Sequence, residues 1–136
     1  MEALAIVNGC TTLIKTLTQV GIFIAEIHTA PNQIKDVSTE LKSLKNALEQ
    51  LRSNSEKRNQ FIRSSEARLR PIIEECEVVV ERIKKLIESH TGRNAGGRIW
   101  KGALWSLDGE SEVNRLRENL RAHTQTLQIA LVAAVL

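Results

Sequence analysis

Three histidines, two cysteines and one acidic cluster are the residues in this chain whose types could support catalysis or metal binding. His28, His90 and His123 are scattered, and none has a cysteine or carboxylate at a spacing that builds a metal site or a nucleophilic triad. His28 and His90 fall near the expected ends of helices, where an imidazole favours the negative end of the dipole. Cys10 and Cys76 both lie on apolar stripes and read as small buried hydrophobes with free thiols. Glu74, Glu75, Glu77 and Glu81 should scatter over the polar face of a helix as solvated charge. The stretch TGRNAGGR (Thr91 to Arg98) has the glycines of a phosphate-cradling loop. No strand is expected before it, however, and no Lys-Ser/Thr follows its glycines. The chain therefore reads as a non-enzyme that needs neither cofactor nor metal.

Two other groups of residues point to lipid rather than to reaction chemistry. The first runs from Glu2 to His28 and carries only Glu2, Lys15 and Glu26 as charges. Leu4, Val7, Cys10, Ile14, Leu17, Val20, Ile24 and Ile27 step by three and four along one helical face. Ile6, Leu13, Ile22 and Phe23 widen that face most of the way round. A helix apolar on most sides is either central in a core or made to meet lipid. At 1.5 Å per residue it would reach about 40 Å, against ~30 Å of hydrocarbon. Lys15 and the neighbouring threonines make it a poor permanent span. We expect it to pack in the resting domain and to enter a membrane, or line an assembly, in an active one. Leu4, Ile6, Val7, Leu13, Ile14, Leu17, Ile22 and Phe23 are the candidate insertion residues, with Ile6 and Leu13 expected beside the main stripe. The second group is Arg93, Arg98, Trp100, Lys101 and Trp105. Indole rings favour the membrane–water interface, and nearby cations attract anionic headgroups. The plainer reading of the tryptophans is a plug at one end of a core that has few other aromatics.

The elements that would carry these groups are helices. The 136 residues suffice for one domain; 42% are hydrophobic, only 3% aromatic, and two are prolines. That excludes a β-sandwich, a disordered chain and a disulfide scaffold. A second helix runs from Asn32 to Ser53, with Ile34, Val37, Leu41, Leu44, Leu48 and Leu51 as a narrow seam. Ser53–Ser55 reads as a turn. A third helix, starting between Glu56 and Ser64 and bent at Pro71, ends near Glu88, and Ser89–Gly97 forms a loop. Arg98–Leu107 is expected as a short helical segment. Asp108 or Ser111 then caps a last helix through Val113, Leu116, Leu120, His123, Leu127, Ala130 and Ala134. The expected fold is all-α: an up-down bundle of four main helices, with a short extra helical segment before the last. The apolar end IALVAAVL suggests that the polypeptide continues.

Charge sets limits on partners. Nineteen basic and sixteen acidic residues give +3, with the excess between residues 51 and 100. That is too weak and too spread for nucleic acid. No signal peptide, lipidation box or N-x-S/T acceptor is present, so the default compartment is the cytoplasm.

The opening MEALAIVNGCTTLIKTLTQVGIFI, followed by the I-x-x-V-x-x-E-L-x-x-L-x-x-x-L segment from Ile34 to Leu48, resembles the N-terminal domain of fungal STAND proteins. These are the NOD-like receptors of fungi, and the likeness is to their HeLo and HeLo-like group. The resemblance covers nearly the whole chain and consists of helix patterns rather than an invariant motif. It implies a helical bundle placed before a nucleotide-binding receptor. It also implies regulated cell death by oligomerisation and membrane damage, with anionic lipids as partners and movement from cytoplasm to plasma membrane. The alternative is a soluble homotypic signalling or adaptor module. No single helix carries a strongly basic stripe, so attraction to lipid through charge alone would be weak.

Overall fold

The computed structural model describes residues 2–94, 96–102 and 109–135, with the backbone alone described at 2–4 and 94. Its elements are α1 (Glu2–Ala25), α2 (Asn32–Glu56), α3 (Gln60–Ser64), α4 (Glu66–Ser89), β1 (Thr91–Asn94), β2 (Gly97–Trp100) and α5 (Glu110–Ala134). The all-α bundle of four main helices is as expected. One core unites the apolar stripes of α1, α2, α4 and α5.

The path of the chain is less ordinary. Helices α1 and α2 pack on each other, and each also packs on one further main helix, α4 and α5 respectively; α4 and α5 close the ring. Consecutive main helices alternate in direction, but α2 and α4 stand at diagonal corners. The chain crosses between them through α3, which packs against α2, α4 and α5. Asn59 caps this crossing: its Oδ1 accepts from the Ile62 N–H at 3.0 Å, and its Nδ2 donates to the Ala134 carbonyl at 3.2 Å.

Local chemistry explains where the element boundaries depart from expectation. Ser53–Ser55 is not a turn; α2 continues to Glu56 with Ser55 buried. The turn comes at Arg58, whose φ of 60° reverses the chain beyond the helix end. The third helix is not one bent rod. It breaks at Ser65 (φ −95°, ψ 1°), and Pro71 sits inside α4 without starting or ending it. Ser111 lies in the first turn of α5 and does not cap it, and Asp108 is outside the described residues.

The main correction concerns residues 91–100. No strand was expected there, and Arg98–Leu107 was expected to be helical. Instead Thr91–Asn94 and Gly97–Trp100 form an antiparallel hairpin. Gly96 and Gly97 disfavour a helix start, and Gly97 turns the chain at a φ of +116° that a side chain would strain. Ile99 and Trp100 then follow in extended backbone, as β-branched and aromatic residues favour. Residues 103–108, including Trp105, lie outside the described residues.

Candidate functional site

The structure joins the two groups singled out above at one end of the bundle. The C-terminal end of α4 is closed by its own side chains. Ser89 Oγ donates to the Leu86 carbonyl at 2.8 Å and Thr91 Oγ1 to the Ile87 carbonyl at 2.6 Å. His90 Nδ1 lies 2.9 Å from the Leu86 carbonyl. The hairpin leaves from this closed end and lies against the end of α1.

Strand β2 grips α1 by backbone and side chain together. Ile27 pairs with Arg98 in a parallel bridge, and the His28 N–H donates to the Arg98 carbonyl at 3.3 Å. The Trp100 N–H donates to Thr29 Oγ1 at 2.9 Å. Arg98 Nε meets Glu26 Oε2 at 3.0 Å, and its guanidinium lies 4.4 Å from the centre of the Phe23 ring. Trp100 stacks on His90, ring centres 5.7 Å apart, and packs on the core. Arg93 stands opposite Arg98 across the hairpin, where like charges repel. Glu26 offsets that repulsion. The whole arrangement is a latch between the hairpin and residues 23–29, the last turn of α1 and the segment that follows it.

The candidate insertion residues are mostly committed to the core. Ile6, Leu13 and Leu17 are buried, and Val7, Ile14 and Phe23 are half-buried. The side chain of Leu4 is not described. Among the described side chains of α1, Ile22, 57% exposed, is the one that shows water a large apolar surface. The expected position of Ile6 and Leu13 beside the main stripe is therefore wrong: both are fully buried and lie at its centre. Lys15 and the threonines turn the helix so that Ile6, Cys10, Leu13, Leu17 and Val20 point inward together. A charge at Ile6 would be buried and would not test insertion.

The basic–aromatic group divides. Arg93 and Lys101 are exposed. Arg98 is held by Glu26 and Phe23, and half-buried Trp100 serves as the plug of the plainer reading. Cys10 and Cys76 are buried free thiols, as expected. Burial pushes both up to about 12, aided at Cys76 by the nearby Glu75 charge. Such thiols are protonated and inert.

Sequence reasoning missed three features. His123 Nε2 does meet a carboxylate, Glu75 Oε2, at 3.4 Å, but across two helices rather than along one. No group of three potential metal ligands occurs among the described residues. Glu40 on α2 binds both Arg117 and Arg121 on α5, at 2.9 and 2.7 Å. The hairpin is the third, and its one local signal was the pair Gly96–Gly97 before Ile99 and Trp100. Among the described residues, no helix is long and apolar enough to cross a membrane.

No curated protein and no solved structure shows significant similarity to the chain. The profile of the SesA family, described as an N-terminal domain on NACHT NTPases and P-loop NTPases, matches residues 6–127. That span takes in α2, α4, the latch and most of α1 and α5. The chain belongs to the SesA family of N-terminal domains, which fits the place before a nucleotide-binding receptor implied by its opening helices.

Proposed function

We propose that this domain is the effector unit of a NOD-like receptor of the fungal HeLo-like kind, acting without catalysis in regulated cell death. In this reading the domain rests in the cytoplasm, joined to receptor domains in the same polypeptide. On activation it self-assembles and moves to the plasma membrane, where anionic lipids receive α1. The observation that carries the reading is the latch. An apolar helix with two charges is held just past its end by exposed polar contacts to a half-buried hairpin. Such contacts are weak enough to open without unfolding α2, α4 and α5. Because α1 is not a spanning helix, its place in the membrane would be along the interface or in a shared wall of several copies.

The test is dye leakage from phosphatidylserine vesicles. Wild type should leak them, and Arg98→Ala, which removes the ion pair with Glu26 and the contact with the Phe23 ring and so loosens the latch, should leak them faster. Arg93→Glu with Lys101→Glu should bind the vesicles more weakly at an unchanged melting temperature, each cation contributing about 1 kcal/mol. Arg98 is left in place in this pair because it also holds the latch. If neither wild type nor Arg98→Ala leaks vesicles, the membrane reading fails and the soluble adaptor stands.

A further inference from the structure

A groove of about 320 Å³ runs between α1 and α2, lined by none of the residues that make the latch contacts. Its floor is apolar, with Gly21, Ile22, Ala25 and Leu41, and its α2 rim carries Lys42 and Lys45. Among the described residues, no acidic one lines it. Gly21 leaves it open: a Cβ placed there meets nothing within 4 Å. Ile22 is 57% exposed inside it. An apolar floor beside two cations suits a helix that presents an apolar side chain flanked by carboxylates.

The same chain displays such a helix. On the outer face of α4, Val78 is 53% exposed. Glu74, Glu77 and Glu81 surround it, and Arg82 and Lys85 edge the C-terminal end of that face. Positions 74, 77, 78 and 81 share one helical face, and 77 and 81 are spaced to meet a pair of lysines three residues apart. Groove and face belong to different corners of the bundle, since α2 stands diagonal to α4.

We infer that the α1–α2 groove receives the Glu74–Glu81 face of α4 from a second copy of this chain. Val78 seats over Gly21 beside Ile22, and Glu77 and Glu81 pair with Lys42 and Lys45. The contact is head-to-tail. A joined pair keeps one groove and one α4 face free, one on each copy, so assembly continues into a ring or a filament. This deepens the self-assembly in the function proposed above by naming its surfaces, and it rests on that reading.

Sedimentation velocity of the chain across a concentration series, in vesicle-free buffer, tests it. Wild type should associate. Gly21→Leu, which fills the groove, should weaken association about tenfold, as should Lys42→Glu with Lys45→Glu or Glu77→Lys with Glu81→Lys. Mixing the two charge-reversed variants should restore association, which also shows that both are folded. A wild type that stays monomeric overturns the inference, as does undiminished association of Gly21→Leu or failure of the mixture to recover. Loss of phosphatidylserine-vesicle binding by Lys42→Glu with Lys45→Glu, with association intact, would make the groove a headgroup site instead. Leakage by a non-associating wild type overturns this contact and spares the membrane reading. Association without leakage does the reverse.

Discussion

Two seams in this bundle are closed by the same chemistry, a glutamate on one element and an arginine on another, yet they behave as opposites. At the α2–α5 seam, Glu40 takes Arg117 through Nε and Nη2 at 2.9 Å and Arg121 through Nη2 at 2.7 Å. Glu40 and Arg117 are only 12% and 14% exposed. The Glu40 carboxylate holds the Arg117 guanidinium even further toward its charged form. At the latch, Glu26 meets Arg98 through one contact, and the two side chains are 51% and 26% exposed. Water already solvates most of what that pair would lose on parting. Burial, not the identity of the ions, therefore decides which seam is a fixed joint and which can open.

The contrast can be broken most severely from beneath the α2–α5 seam. Leu44 lies one turn beyond Glu40 and is fully buried. Leu44→Ala should cost about 2–5 kcal/mol in chemical denaturation, as a cavity in a packed core does. A melt indistinguishable from wild type would show that this seam is not the fixed one. Glu40→Ala should follow, at about 3 kcal/mol, because it leaves Arg117 partly buried without its carboxylate.

A third measurement sharpens the contrast along α1 itself, between its dry interior and its wet end. Cys10 and Cys76 are held protonated up to about 12, against an ordinary thiol value of 9.0. Above pH 9 the unfolded thiols ionise while the folded ones keep their protons, so the folded state binds more protons. The stability they contribute is full below pH 9 and declines as pH rises toward 12, by up to about 1.4 kcal/mol per pH unit for each thiol. Urea midpoints at pH 8 and 10.5 should separate wild type from Cys10→Ala with Cys76→Ala, which lacks this part of the slope.

The smallest effect belongs to the latch. Glu26→Ala should cost less than about 1 kcal/mol globally. Amide exchange at His28 and Trp100 should nevertheless quicken, while α2 and α5 amides keep their protection. Equal slowing or quickening everywhere would show that the latch is not a separate unit.

The contrast also marks what could be read from the residues alone. The seam of α2, from Ile34 to Leu51, is a strict alternation of three and four, and every member is buried. Helix α1 resisted the same treatment because it has too many apolar residues. Steps through Val7 and Ile14 look as good as steps through Ile6 and Leu13, and the packing of α2 and α4 on α1, together with the exposed Lys15, selects the second set. The latch was hidden for another reason. Its partners, Glu26 and Arg98, are 72 residues apart, and no local pattern encodes a tertiary pairing. Arg93, Arg98, Trp100 and Lys101 lie in or directly after one hairpin, but Arg98 and Trp100 are turned inward by contacts that their own neighbourhood does not announce.

That separation along the chain has a kinetic consequence. Closing the contact between residues 26–29 and 98–100 requires a loop of some seventy residues to be fixed in place, and the return for doing so is a few exposed hydrogen bonds, one ion pair and the packing of one half-buried indole. An apolar core can form across α1, α2, α4 and α5 before that clasp exists. The hairpin contact should therefore be among the last steps in folding, contributing little to the folding rate and mainly slowing local opening. During synthesis α1 leaves the ribosome well before the hairpin that secures its end, so a nascent copy passes through an interval in which its most apolar helix has no clasp.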